Sequence, residues 1–253
     1  MSTFKDHFSS ASDRYAAYRP DYPAALYDWL ASLSPHPETS AELGTAWDCA
    51  TGSGQAALGL APHFQRVVAT DASAEQIRHA APHPHIDYRL APAEASELAD
   101  RSVDLVVVAQ AAHWFDLPRF YAEVVRVLKP GGALVLWGYG RMVLPGELDA
   151  PFQRFYADTV GPYWPPERAL IDDAYRSLDF PFAEIRPPAF RIEVEWNLPR
   201  LMAYLSTWSA VKRYQAARGS DPLSALMDEL APLWGDPNAA RRLAWPLFLR
   251  AGR

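Results

Sequence analysis

The sequence predicts an α/β fold with a mostly parallel sheet covered by helices on both faces. Three observations predict it. Short apolar, β-branched runs alternate with helical segments between residues 45 and 140, the pattern of strands buried on both faces. A tight turn carrying Gly52 and Gly54 joins the first of these strands to a helix, and glycine lets such a turn approach a ligand closely. Asp48, Asp71 and Gln110 stand at carboxyl ends of strands, which is where open parallel sheets bind ligands.

Each element follows from its residues. Pro20 and Pro23 restrict the backbone, and Pro23 suits the first turn of a helix running to about Leu33. Residues 34–44 read as a loop. Strand 45–49 precedes helix 54–62, and strand 66–70 precedes helix 73–80. A short strand 86–90 comes before the strongly β-branched strand 103–109. Helix 117–128 stops before Pro130-Gly-Gly132, and strand 133–138 follows. Past Tyr139 the texture changes, because residues 141–182 are rich in proline and aromatics. Residues 191–196 alternate like a strand with one solvated face. Helices are expected at 198–205, 208–218 and 221–233, with a closing strand at 243–249. Pro246 favours an edge position or a bulge for that strand.

Composition narrows the class. The 253 residues are 49% apolar and 13% aromatic, ample for a buried core. A net charge of −6 argues against a broad phosphate-tracking surface, so no nucleic-acid partner is expected. The single cysteine, Cys49, cannot form an intrachain disulfide, and a reducing cytoplasm suits it. The N-terminus lacks a charged-then-apolar signal pattern, and no apolar run reaches the roughly 18 residues of a span. A soluble cytoplasmic protein is expected. His83-Pro-His85 lacks the spacing and partners of a metal site.

The glycine turn admits more than one cofactor. Gly52-Ser-Gly-Gln-Ala-Ala57 satisfies the dinucleotide pattern G-x-G-x-x-(G/A), which alone is weak. A plain turn opening a helix also satisfies it. Asp71, seventeen residues past Gly54, suits the two ribose hydroxyls of an adenosine-type cofactor, although it could instead cap the helix near Ser73. Asp48 discriminates: a carboxylate there repels a pyrophosphate but attracts a cofactor carrying an ammonium and a sulfonium. About 45 residues precede the first strand, whereas nucleotide folds commonly open with it.

The ordered motifs resemble those of the class I S-adenosylmethionine-dependent methyltransferases (type 11-like). Within them the chain is similar to trans-aconitate methyltransferase-like small-molecule enzymes. The residues that carry the resemblance are Tyr15-Ala-Ala-Tyr-Arg-Pro-Asp-Tyr-Pro23, Asp48-Cys-Ala-Thr-Gly-Ser-Gly54 and Ala69-Thr-Asp-Ala-Ser-Ala-Glu-Gln-Ile77. Ala93-Glu94, Val108-Ala-Gln-Ala-Ala-His-Trp-Phe115, Arg126-Val-Leu-Lys-Pro-Gly-Gly132 and Thr207-Trp-Ser-Ala210 complete the set. One departure is Ala50, where the family's loop usually has its first glycine; alanine serves if its dihedrals are ordinary.

The resemblance implies a Rossmann-like, seven-stranded sheet with a C-terminal helical and aromatic cap. Residues 1–44 would cover the cofactor, 45–140 would bind it, and 141–253 would add the last strands and a substrate cap. It implies a cofactor site of Asp48, Ala50, Thr51, Gly52, Gly54, Gln55, Asp71, Ala72, Ala93, Glu94, Gln110 and Ala111, closed by Tyr15 and Arg19. Glu94 reads equally as a solvated acid, and Tyr15 as packing for an N-terminal helix.

His113 and Trp114 fall beside the expected methyl position. His113 suits a general base, its unperturbed pKa being about 6.5; a hydrogen-bonded structural histidine is the commoner arrangement. Trp114 offers a π face to a sulfonium or simply packs. Trp164, Tyr204, Trp208 and Arg213 are the substrate-pocket candidates, with Arg200 and Lys212 as further cations for a carboxylate clamp. The expected function is methyl transfer in line to a small-molecule carboxylate or hydroxyl. An NAD-dependent oxidoreductase and a non-catalytic S-adenosylmethionine-binding protein are the alternatives. A nucleic-acid methyltransferase is disfavoured, because no Asn/Asp-Pro-Pro-Tyr segment follows the fourth strand. The sequence does not set the oligomeric state.

Overall fold

The computed structural model describes residues 20–35 and 44–253. Helix α1 (Ala24–Ser32) follows Pro23, which sits just outside the helix rather than within its first turn. Strands β1 (Thr45–Cys49), β2 (Arg66–Asp71), β3 (Ile86–Leu90), β4 (Val103–Ala109) and β5 (Leu128–Tyr139) alternate with helices α2 (Gln55–Leu60), α3 (Ala74–His79) and α4 (Leu117–Val127). Residues 141–182 hold α5 (Asp149–Arg154), which runs into a π-helical turn at Phe155–Thr159, and α6 (Arg168–Asp172). Then come β6 (Glu184–Ile185), β7 (Arg191–Trp196), α7 (Leu198–Leu205), α8 (Ser209–Arg218), α9 (Pro222–Trp234) and β8 (Arg241–Gly252).

The sheet order is β3-β2-β1-β4-β5-β8-β6, with β7 paired to β8 outside that path. Strands β1 to β5 are mutually parallel, and β8 runs antiparallel between β5 and β6. Among the described residues the sheet has eight strands rather than seven, because β8 is long enough to pair twice. Its first half pairs with β7 and its second half with β5. Pro246 lies at the changeover, paired with Arg191, one residue before Leu247 pairs with Tyr139. The expected edge position is therefore corrected: β8 is interior. The proline, which has no N–H to give a ladder, is placed where the strand changes partner.

Side-chain alternation splits the core into two layers. Leu105, Val107, Val135 and Trp137 face the layer that holds α1, α2 and the C-terminal helices. Val106, Val108, Leu134 and Leu136 face the opposite layer with α4, through Phe120, Val124 and Val127. Leu201, Leu205, Leu226 and Leu230 belong to the first layer, so the cap helices share the core of the sheet. The stop at Pro130-Gly-Gly132 is real for α4, but β5 already begins at Leu128. Residues between Leu128 and Ala133 loop out of register with β4.

No helix among the described residues is long and apolar enough to cross a membrane. Nor do they contain a cluster of three or more His, Cys, Asp or Glu able to hold a metal ion.

Gly59 decides how closely α1 approaches α2: a Cβ built there would fall inside the Tyr27 ring. Gly59→Ala therefore destabilises the protein by about 2 kcal/mol, overpacking outweighing alanine's better helix propensity of about 1 kcal/mol. Urea unfolding checks it, and adding Tyr27→Leu to the same chain recovers most of the loss. An unchanged or higher midpoint for Gly59→Ala would refute the close contact.

Candidate active site

The site is assembled at the carboxyl ends of β1, β2 and β4. The loop after β1 is tied to β2 by the Thr51 amide, which donates to the Thr70 carbonyl at 2.9 Å. The Thr51 hydroxyl donates to Asp48 Oδ2 at 2.5 Å. The Gly52 amide donates to Asp71 Oδ2 and the Ser73 amide to Asp71 Oδ1, both at 2.8 Å. Ser73, not Asp71, caps α3, accepting from the Gln76 amide. The alternative capping role for Asp71 is thus set aside. Two strand-tip carboxylates are held on either side of the glycine turn.

Backbone conformation explains the glycines. Gly52 and Gly54 have φ of +58° and +88°, a region that side chains rarely enter. A side chain at Gly54 would also collide with the Tyr88 hydroxyl. Ala50 is the exception: its φ is +56°. The expectation of ordinary dihedrals at Ala50 is therefore corrected, and this turn carries strain that a glycine would relieve. Gln110, at φ +59°, is the second strained residue of the site.

Asp48 is fully buried. Burial pushes its carboxyl up to about 7, opposed by the Thr51 hydroxyl and the Ala57 amide and reinforced by the charge of Asp71. Its Oδ1 makes no well-formed hydrogen bond among the described residues. A buried acid poised near neutrality beside a second carboxylate is costly unless a cation joins it. The donor set suits an ammonium-bearing adenosyl cofactor and is unsuited to a diphosphate.

The remaining candidates sit as follows. Gln55 donates to the Pro20 carbonyl at 2.8 Å and to Asp21 at 3.2 Å. It thereby draws the segment preceding α1 across the glycine turn. Ala72 is exposed beside Asp71, and Ala93 is buried. Glu94 accepts from the Asp116 amide at 2.9 Å, which fixes the loop after β3 to the start of α4. Gln110 donates to the Tyr139 carbonyl at 3.0 Å, and Ala111 is buried at the end of β4. Tyr15 and Arg19 lie outside the described residues.

His113 and Trp114 occupy a short 3₁₀ turn directly after β4. His113 Nδ1 lies 2.8 Å from the Tyr175 hydroxyl, and its ring is 4.7 Å from that of Trp114. Burial, then the positive charge of Arg168, bring its pKa down to about 4. The imidazole is therefore neutral at physiological pH. The C-terminal half carries an aromatic wall of Tyr156, Trp164, Tyr204 and Trp208, with Trp164 and Trp208 centred 5.3 Å apart and Tyr204 and Trp208 5.8 Å apart. Arg213 is exposed on α8 and joins none of these contacts, so the structure does not bring it to the wall. Tyr156, Arg168, Asp172 and Tyr175 were not singled out from sequence. The i,i+4 pair Arg168 and Asp172, beside Tyr163-Trp-Pro-Pro166, is the signal that would have found two of them.

A model of the methyltransferase domain family matches residues 47–136. A Dictyostelium discoideum protein with a provisional methyltransferase name is 36% identical over 230 residues, covering 90% of this chain and 86% of that protein. The chain belongs to the class I S-adenosylmethionine-dependent methyltransferases. A solved structure from Anaeromyxobacter dehalogenans, provisionally named a type II methyltransferase, superposes with a TM-score of 0.87 at 44% identity. It covers 93% of this chain and 97% of its own. An uncharacterised methyltransferase of Mycobacterium tuberculosis is 38% identical over 130 residues, 51% of this chain and 50% of its own. As a methyltransferase of this class, the chain uses S-adenosyl-L-methionine as cofactor.

Two outcomes follow from the loop. Ala50→Gly raises stability by about 1 kcal/mol through relief of the left-handed backbone, read as a shift of the urea midpoint; a midpoint at or below wild type would contradict it. Asp48 must be ionised to attract the ammonium of the cofactor. Because its pKa without ligand is about 7, affinity is full above that pH and is lost as pH falls through it. Calorimetry with S-adenosylhomocysteine should show about tenfold weaker binding at pH 6 than at pH 8. Asp48→Asn should bind weakly and without this slope.

Proposed function

We propose that the protein transfers the methyl group of S-adenosylmethionine to a small-molecule carboxylate or hydroxyl. The observation that carries this reading is the pair of strand-tip carboxylates, Asp48 and Asp71, joined through one glycine turn; the wall of Tyr156, Trp164, Tyr204 and Trp208 in the C-terminal half is read as the acceptor side. One side fits a cationic adenosyl group; the other offers an apolar surface to an acceptor. In this reading residues 45–140 hold the cofactor, residues 141–253 cap the acceptor, and residues 1–44 cover the site.

The bound cofactor supplies a methyl group on a sulfonium, an already activated leaving group. The chain's own residues then bind, align and exclude water, which is where most of the rate enhancement would arise. Asp48 takes the ammonium, and the Gly52–Gly54 turn admits the methionine end without a side chain in the way. Asp71, locked by two backbone amides, presents its carboxylate to the ribose hydroxyls. Gln110, held by the Tyr139 carbonyl, would line the site at the end of β4. Trp114 and the aromatic wall keep the site dry. His113 stays neutral and is oriented by Tyr175, ready to accept a proton only if the acceptor is a hydroxyl. An NAD-dependent reading is disfavoured, since a pyrophosphate would face the buried Asp48 carboxyl.

Incubation with labelled S-adenosylmethionine and a broad acceptor panel tests the proposal. It expects S-adenosylhomocysteine to accumulate in proportion to a methylated small molecule. Saturating turnover should be level from pH 6 to 9, because His113 has lost its proton far below that window. Cofactor binding without turnover on any acceptor would leave a sensor or scaffold instead.

A further inference from the structure

We propose that Arg168 binds a carboxylate group of the methyl acceptor and so sets the enzyme's substrate class. The inference rests on the methyl-transfer reading above and deepens it.

Arg168 differs from the other cations of the C-terminal half. Arg213 and Lys212 are exposed on α8, and Arg200 lies exposed over Trp196. Arg168 is largely buried, with its guanidinium carbon 4.8 Å from the centre of the Trp164 ring and 5.6 Å from that of Tyr156. Its Nε donates to the Tyr156 hydroxyl at 2.9 Å and lies 3.4 Å from Asp172 Oδ1. Tyr156 in turn donates to the same Asp172 oxygen at 2.8 Å. The head group is thus fixed in position and plane through one nitrogen.

Its two terminal nitrogens make no hydrogen bond among the described residues, nor does the buried indole N–H of Trp164 beneath them. The Arg168 side chain is 21% exposed, so its unpaired terminal nitrogens stay open to a ligand, while a buried indole N–H left unpaired is costly. The pair of terminal nitrogens is also the fork that matches a carboxylate bidentately. Position agrees with this role. The charge of Arg168 is felt at His113, just past the tip of β4, and at Tyr204 on the cap. Arg168 therefore stands near His113 as well as against the aromatic wall. An acid with an apolar or unsaturated body would lay that body on Trp164, Tyr204 and Trp208.

The chemistry needs no base. A carboxylate oxygen forms the new bond to the methyl carbon as the carbon–sulfur bond breaks and its electron pair returns to sulfur. The products are a methyl ester and S-adenosylhomocysteine, with no proton released. A carboxylate is already ionised above about pH 5, consistent with a site in which the His113 imidazole is tied to Tyr175.

The test is calorimetry on the full chain saturated with S-adenosylhomocysteine, titrated with aliphatic and aryl mono- and dicarboxylic acids, each paired with its primary amide. Acids that bind should do so at least tenfold more tightly than their amides. Arg168→Gln should abolish that preference while binding S-adenosylhomocysteine within twofold of wild type, and Arg168→Lys should retain part of it. Should Arg168→Gln fail to fold, the acid–amide comparison on wild type and Arg168→Lys decides. Equal binding of acid and amide throughout the panel, or binding of neither member of any pair, overturns the proposal. Displacement of a bound acid by inorganic phosphate at the same concentration overturns the carboxylate assignment. A wild-type chain that ignores S-adenosylhomocysteine sinks the methyl-transfer reading itself, which is a separate result.

Discussion

A carboxylic acid buried at the tip of a central strand is the constraint on which the rest of the site depends. Asp48 is fully buried, and among the described residues its firm hydrogen bond comes from Thr51. Desolvation alone would keep it protonated. The turn that follows must therefore bring amides and hydroxyls close, and it does so by accepting left-handed backbone at Ala50, Gly52 and Gly54. The same turn places the Gly52 amide on Asp71, so that the two carboxylates are coupled through one loop. Such an arrangement stores unfavourable energy that a cationic ligand can release on binding. A cofactor with two positive centres is the natural occupant.

The second half of the molecule answers a different need. Methyl transfer requires alignment and dryness more than it requires acid–base groups. The C-terminal helices form no separate core, since they pack into the layer shared with α1 and α2; in the proposed function they would supply both. A run of rings from Tyr139 through Trp245, Tyr204 and Trp208 to Trp164 links the end of β5 to the acceptor side. The polar groups set into that wall are few. His113 is neutral and anchored, and Arg168 is held by a tyrosine and an aspartate. Two carboxylates thus stand at the strand tips, and one guanidinium, Arg168, lies against the wall.

Local sequence carried the core well. Strands 45–49 and 103–109 stand where the sequence places them, because burial on both faces leaves little ambiguity of type, and 191–196 stands where its alternation places it. The glycine turn and both strand-tip acids were legible for the same reason: few residues tolerate those backbone angles or those positions. The strain at Ala50 was not legible, since alanine ordinarily avoids left-handed backbone. The double pairing of β8 was hidden because pairing partners are set by tertiary contacts and not by composition. Arg168 was missed in a stretch whose proline and aromatic content gives no periodicity. Arg213, a clamp candidate by resemblance, is exposed on α8, since the helix face that carries a residue decides its burial.

The central claim is that Asp48 is an acid strained by burial and relieved by the cofactor. Carboxyl ¹³C NMR of the labelled protein tests it most directly, by following the Asp48 resonance through a pH titration. Without ligand the midpoint should lie near 7; saturation with S-adenosylhomocysteine should lower it by at least about one unit. A midpoint in the ordinary range for aspartate, or one that the ligand leaves in place, would contradict the account.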